Sequence, residues 1–292
     1  MMEARRGQAG VPIGDPDASR IAAEVERDLA ARGSLVVALS GGVDSAVVAA
    51  LAWRALGNRA LAATAAAETL AARELEKARR VASEIGIRHR VIPHSELAVS
   101  EFVANPADRC YICQGLRMDL LRELARKEGY AAVADGTNAS DLGPERPGLR
   151  AIRERGIVSP LMEHGVRKPE VRALARWLGL SVWDRPANAC LSSRIPHGQL
   201  VTLGKLSKIE EAEEILIARG FRKVRVRLDG GSARIEVDGE EVARLRRSWP
   251  RLLPRFEALG FTQVTFDPAG YRYGGADRGG EARHEPQTPG AG

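Results

Sequence analysis

Hydrophobic and polar positions divide this chain into two stretches with different rhythms. In the first, short apolar runs alternate with longer amphipathic ones. Ile21 to Ala31 carries apolar residues at helical spacing and stops at Gly33, a C-cap signal. Leu35-Val36-Val37-Ala38-Leu39 is apolar throughout, as a strand buried on both faces should be. Ala46 to Leu56 is Ala-rich and of helical length, and Arg59 to Ala66 is an Ala-rich strand. Glu68 to Ile85 predicts a charged amphipathic helix ending at Gly86, and Ile87 to Ile92 a third strand. A helix from Cys110 to about Glu128 leads to a strand over Tyr130 to Ala134, and another helix covers Lys168 to Leu178. Strand, helix, strand in this order argues for an α/β fold, a doubly wound parallel sheet with right-handed crossovers.

From about Leu203 the rhythm changes. Lys205 to Arg219 places Leu206, Ile209, Ala212 and Leu216 on one helix face. Val224-Arg225-Val226-Arg227-Leu228 alternates, Asp229-Gly230-Gly231 signals a hairpin, and Ala233 to Val237 returns. Glu240 to Leu259 predicts a helix interrupted near Pro250 and Pro254, and Phe261 to Phe266 a last strand. The expected organisation is a disordered start over 1–17, a nucleotide-type domain over 18–200, a smaller α+β domain over 201–274 and a disordered tail over 275–292. Two segments lack periodicity. Asp141 to Arg155, with Gly143, Pro144, Pro147 and Gly148, predicts a loop whose Arg146, Arg150 and Arg153 make it a mobile basic flap or a solvated connection. Asp184 to Gly198 predicts a second loop.

Composition narrows the class only slightly. The 292 residues are 44% hydrophobic and 28% charged, ordinary for a globular protein, and no run reaches the length of a membrane span. The first twenty or so residues lack the apolar core of a secretory signal, so a cytoplasmic location is expected. A net charge of +6 permits nucleic-acid binding but equally suits an enzyme that handles phosphates. Three cysteines are too few, and odd in number, for a disulfide framework; thiol chemistry or metal ligation is the alternative.

The first candidate site is Ser40-Gly41-Gly42-Val43-Asp44-Ser45, between a buried strand and a helix. Two glycines let the backbone turn tightly, and the freed N–H groups with the helix dipole suit an anion. Asp44, a carboxylate within an anion site, makes sense as a ligand for Mg²⁺ bridging phosphate oxygens. The spacing matches neither the Walker A loop nor the dinucleotide fingerprint. Asp135-Gly136-Thr137-Asn138 is a second turn at a strand's carboxyl end; its backbone and Asn138 suit closure over a nucleotide, though an ordinary β-turn reads the same. Cys110 and Cys113 form a C-x-x-C at a helix start, where thiolate is favoured. Cys190 stands in a polar loop before Ser192, Ser193 and Arg194, a reactive rather than structural setting.

The S-G-G-x-D-S loop resembles the pyrophosphate-binding loop (PP-loop) of the ATP pyrophosphatases, which cleave ATP between its α and β phosphates and adenylate a substrate. With Asn105 to Cys113, Asp135 to Asp141, Arg146 to Arg150, and Ala189-Cys190-Leu191-Ser192-Ser193-Arg194-Ile195-Pro196, the chain resembles the LarE family over roughly residues 20 to 273. Members are PP-loop sulfur transferases that make the nickel-pincer nucleotide of lactate racemase. The resemblance implies ATP and Mg²⁺ at Ser40 to Ser45, and pyridinium-3,5-biscarboxylic acid mononucleotide as substrate. Its carboxylate would become an acyl-adenylate, and a sulfur nucleophile would displace AMP. It places the sulfur-donor position at Cys190, which single-cysteine members consume. This chain adds Cys110 and Cys113, and the three thiols together suit a [4Fe–4S] cluster with one iron lacking a protein ligand. A redox C-x-x-C, or a zinc site completed by His197, are the alternatives.

Arg225 and Arg227, with Arg194, Arg272 and Ser193, are expected to hold the substrate phosphate or second carboxylate. Glu213 and Glu236 would orient those arginines or accept a proton. On pattern alone Arg225 and Arg227 also fit a solvated strand face. The family further implies a homo-oligomer, a sulfide donor and a downstream nickel-inserting cyclometallase. Three rivals share parts of this pattern. A tRNA thiolase lacks support from any recognisable RNA-binding module, and aromatics are only 4% of the chain. An ammonia-using PP-loop ligase leaves the cysteines unexplained. A non-enzymatic nucleotide sensor leaves Cys190 unexplained.

Overall fold

The computed structural model describes residues 16–142, 146–186 and 189–271. The chain divides into two compact units, the first ending at Cys190 and the second beginning at Leu191. This puts Leu191 to Leu200 with the smaller unit, ten residues earlier than the composition change suggested. Most of the expected disordered termini fall outside the described residues, except that Pro16 and Asp17 already begin a helix.

In the first unit, α1 (Pro16–Ala31) leads to β1 (Leu35–Ala38), α2 (Val43–Leu56) and β2 (Ala60–Ala66). Then come α3 (Ala72–Ile85), β3 (Arg88–Pro93), the short α4 (Ser100–Val103), α5 (Arg109–Glu128) and β4 (Ala132–Ala134). The unit closes with α6 (Pro147–Glu154), the short α7 (Pro160–Glu163) and α8 (Lys168–Trp177). The four strands pair in parallel in the order β3-β2-β1-β4. Alternate residues of β1 face opposite layers. Leu35 and Val37 pack with α1, α2 and α8, whereas Val36 packs with Met118, Leu121, Leu124 and Ala125 of α5. The near-continuous apolar run of β1 is therefore the signature of a strand covered on both sides. The chain leaves β1 toward β2 on one side and meets β4 on the other, so strand order reverses between β1 and β4. Ligands of such sheets sit at that reversal, beyond the carboxyl ends.

Two expectations are corrected. α3 begins at Ala72 rather than Glu68; Glu68 instead accepts from Ser95 Oγ at 2.5 Å and from Glu96 N at 3.1 Å. The expected basic flap holds a helix, α6, laid against α5, while Gly143, Pro144 and Glu145 lie outside the described residues. Two of the three arginines of this segment have partners. Arg150 stacks 4.4 Å from the Tyr111 ring centroid, and Arg146 Nη1 donates to Asp141 Oδ1 at 3.1 Å. Proline at the first helical position fits this start, because the missing N–H would have no partner there anyway.

The second unit comprises α9 (Leu203–Ile217), β5 (Val224–Asp229), β6 (Ser232–Val237), α10 (Val242–Glu257) and β7 (Gln263–Phe266). β5 and β6 are antiparallel around Gly230-Gly231, and β6 pairs in parallel with β7. The expected α+β order stands. The expected interruption of the penultimate element does not: α10 runs through Pro250 and Pro254 as one helix. Its apolar residues Leu245, Leu252 and Phe256 are buried, and that packing outweighs the missing amide donors. Among the described residues no helix is long and apolar enough to cross a membrane.

Candidate active site

The Ser40 to Ser45 segment forms the turn between β1 and α2. Gly41 has φ +79°, and a Cβ there would stand 2.9 Å from Ala78 N and 3.1 Å from Glu74 O. Conformation and space therefore both demand glycine. Ser45 Oγ ties the loop together: it accepts from Ser40 N at 3.2 Å, lies 3.1 Å from Ser40 Oγ and donates to Gly42 O at 3.1 Å. Val43 is the first residue of α2, and Gly42 caps it without a side-chain bond, leaving the helix N-terminus open toward the turn.

The second turn presses directly on the first. A Cβ on Gly136 would lie 2.6 Å from Ser45 N and 2.9 Å from the Asp44 carbonyl carbon. Asn138 reaches across as well, donating from Nδ2 to Asp44 Oδ1 at 3.2 Å while accepting from Ser140 N at 2.9 Å. Asp135 beneath them is buried and accepts from Thr137 Oγ1 at 2.5 Å and Ser159 Oγ at 2.7 Å. Burial pushes its carboxyl above the ordinary value despite those donors. Gly136→Ala should therefore weaken ATP binding by at least tenfold, because the added methyl must displace the PP-loop backbone. Titration of the variant with ATP checks this, and unchanged affinity would sink it.

Asp44 carries a partner that sequence reasoning missed. Lys168 Nζ, at the first position of α8, lies 2.6 and 2.5 Å from the two carboxylate oxygens. The only sequence signal was a lysine before Pro169 at a helix start, a common surface pattern.

Ser40, Asp44, Ser45, Asp135, Gly136 and Thr137 line one side of a cavity of about 260 Å³ at the carboxyl ends of β1, β2 and β4. Leu39, Ala63, Leu70, Met118 and Leu121 supply its apolar wall. This combination suits a purine nucleotide, with an apolar surface for the base and backbone donors for phosphates.

The thiols gather in the same unit. Cys110 and Cys113 share one face of the first turn of α5; Cys110 is exposed, Cys113 buried and Cys190 partly buried. Cys190 lies within electrostatic reach of both. A low thiol pKa at this helix start was expected and is corrected. Although its surface is open, crowding by the surrounding protein desolvates the Cys110 thiol and pushes it up, Cys190 adds to the effect, and Arg109 only partly opposes it. Cys113 stands well above its usual value, first through burial and then through Glu96, to which its Sγ donates at 3.0 Å. Among the described residues no group of three or more His, Cys, Asp or Glu side chains is placed to hold a metal ion. The neighbourhood supplies three soft thiols, which suit an iron–sulfur group, and the His94 imidazole stands 3.7 Å from Glu96 Oε1, the carboxylate that Cys113 contacts.

The second unit builds a separate charged cluster. Arg194 and Glu213 are fully buried and paired through two bonds, Nε to Oε1 at 2.8 Å and Nη2 to Oε2 at 3.0 Å. Arg194 Nη1 also donates to Ser193 Oγ at 3.1 Å, and Glu213 Oε1 accepts from Val226 N at 3.2 Å. Arg227 Nε donates to Glu236 Oε2 at 3.1 Å and its Nη1 to Ser193 O at 3.0 Å. Arg225 is buried with its guanidinium 5.3 Å from the Tyr271 ring centroid. Burial, then the like charge of Arg194, lowers its pKa to about 10. A solvated strand face is thereby set aside for both arginines. Arg272 lies outside the described residues.

A parallel sheet with a PP-loop at its reversal point and a second turn packed on it defines a PP-loop ATP pyrophosphatase. The asparagine synthase family model matches residues 18–113. An uncharacterized protein of Synechocystis sp. is 42% identical over 83% of this chain and 91% of its own length. The pyridinium-3,5-bisthiocarboxylic acid mononucleotide synthase of Lactiplantibacillus plantarum is 34% identical over 82% of this chain and 87% of its own. A glutamine-hydrolyzing GMP synthase component of Archaeoglobus fulgidus is 26% identical over 51% of this chain and 52% of its own. This chain belongs to the LarE family of ATP-dependent, adenylating sulfur transferases.

Proposed function

We propose that this transferase converts the carboxylates of pyridinium-3,5-biscarboxylic acid mononucleotide to thiocarboxylates for nickel-pincer cofactor synthesis, with sulfur passing by way of its three cysteines. The observation that carries the reading is the PP-loop held against Gly136 and Asn138 in the same unit as three neighbouring thiols. The name of the Lactiplantibacillus relative supplies the product.

A substrate carboxylate oxygen attacks the α-phosphorus of ATP, and the bond to the β-phosphate oxygen breaks. Backbone donors from Ser40 to Ser45 hold the departing pyrophosphate, with Asp44 as the protein ligand of Mg²⁺. A sulfur nucleophile then adds to the acyl carbon, and AMP leaves with the electron pair of the broken C–O bond. Carboxylate oxygen alone is a poor leaving group, which is why ATP is required. Arg225, Arg227 and Arg272, with Ser193, bind the anionic groups of the substrate. Glu236 orients Arg227, and the Arg194–Glu213 pair fixes the floor of that cluster.

Cys110, Cys113 and Cys190 would hold a [4Fe–4S] cluster, which would supply the means of delivering sulfur from a separate sulfide donor. The enzyme is then a multiple-turnover catalyst, a cytoplasmic homo-oligomer that feeds a nickel-inserting cyclometallase. Iron and acid-labile sulfide measured on protein purified without oxygen test this. About four of each per chain are expected. Absence of iron, with an intact mass that falls by one H₂S after reaction, would instead assign Cys190 as a consumed sulfur donor. Tight, salt-sensitive tRNA binding would favour the thiolase reading.

A further inference from the structure

One cation of the first unit has no part in the reaction as described so far. Arg117 lies on α5 one turn beyond Cys113 and on the same face. Its Nε donates to Glu96 Oε1 at 2.8 Å, and its Nη2 donates to Thr69 Oγ1 at 2.9 Å. Thr69 Oγ1 donates to Glu96 Oε2 at 2.5 Å, and Glu96 and Thr69 are both completely buried. Two of the three guanidinium nitrogens are thus clamped. Among the described residues no hydrogen bond uses the third, Nη1. The side chain is 22% exposed, and it lines the nucleotide cavity beside Gln114 and Met118. Burial works against its charge, and the ion pair with the Glu96 carboxylate offsets that burial.

On the ATP-binding reading of this cavity, the purine lies against the apolar wall and the β and γ phosphates at the PP-loop, which leaves the α-phosphate between them for a cation on the cavity wall. We propose that Arg117 is the α-phosphate ligand of this enzyme, its Nη1 donating to a non-bridging oxygen in ATP, in the acyl-adenylate and in the AMP that leaves. The assignment rests on the adenylating reading. When the sulfur nucleophile adds and the C–O bond breaks, the electron pair goes to the phosphate, whose charge rises from one to two. A guanidinium already fixed by Glu96 and Thr69 meets that charge without rearranging. Because Cys113 leans on the same Glu96 carboxylate, one buried anion positions both the phosphate ligand and a thiol.

The test compares AMP, adenosine and magnesium pyrophosphate as separate probes in equilibrium titrations. Wild type is set beside Arg117→Met and beside the double variant Arg117→Met with Glu96→Gln, which removes both charges together. If the single variant does not fold, the double variant is read. AMP affinity should fall tenfold to a hundredfold, the worth of a charged hydrogen bond, with adenosine and pyrophosphate within about twofold of wild type. Unchanged AMP affinity overturns the proposal, and so does equal weakening of all three probes, which would mean a collapsed cavity. Failure of the adenylating reading looks different: wild type given ATP and substrate would release no AMP and pyrophosphate, whatever the AMP affinity of the variants.

Discussion

Asp44→Asn is expected to slow pyrophosphate release from ATP about a thousandfold while leaving the melting temperature nearly unchanged. The two halves of this expectation come from different parts of the site. Asp44 lines the cavity from within the PP-loop, and under the proposed reading losing its charge would remove the protein's hold on Mg²⁺. Stability should barely notice. The Asp44–Lys168 pair is partly exposed, at 27% and 29%, and pairs of that kind contribute about 1 kcal/mol or less. Pyrophosphate release in a coupled assay, with thermal melts alongside, measures both. A rate within tenfold of wild type would remove Asp44 from the metal site.

Arg194→Ala should act in the opposite way, on folding before chemistry. Its partner Glu213 is completely buried, and removing one member of such a pair leaves an uncompensated charge at about 3–5 kcal/mol. The double variant Arg194→Met with Glu213→Leu should recover most of that loss, since a well-packed apolar pair of similar volume can replace a buried ion pair. Trp249 packs edge-on against Phe266, with centroids 4.8 Å apart, and so reports on the second unit. Urea unfolding followed by its fluorescence, with Trp53, Trp177 and Trp183 changed to Phe, gives the comparison. A loss below about 1 kcal/mol in the single variant would show that Arg225 takes over Glu213, and the pair would then not be the keystone of this cluster.

The sheet and its reversal point were legible because apolar runs such as Leu35 to Leu39 are long enough to be strands and short enough not to be helices. The PP-loop was legible because glycine, serine and aspartate occur together where a strand becomes a helix. What escaped was of two kinds. Local rules break α10, since they weigh Pro250 and Pro254 but not the burial of Leu252 and Phe256. The helix start predicts low pKa values for Cys110 and Cys113, since sequence does not reveal that Cys113 faces a buried Glu96 seventeen positions away. Lys168 and Arg117 were missed for a related reason: each meets its partner across the fold. Arg117 still left a trace, because Cys110, Cys113, Gln114, Arg117 and Leu121 recur at the spacing of one helical face.

That face has a consequence for how far the protein tolerates change. α5 acts as a ruler between the thiols at its start and the cavity wall at Leu121. At about 1.5 Å per residue, Cys113 and Leu121 are about 12 Å apart along its axis. A single residue inserted between them would leave both ends helical and both side chains intact. It would also turn one end about 100° away from the other. Divergence in this segment is therefore constrained in length more tightly than in composition, and an alignment gap inside it would signal a different enzyme even where every cysteine is retained.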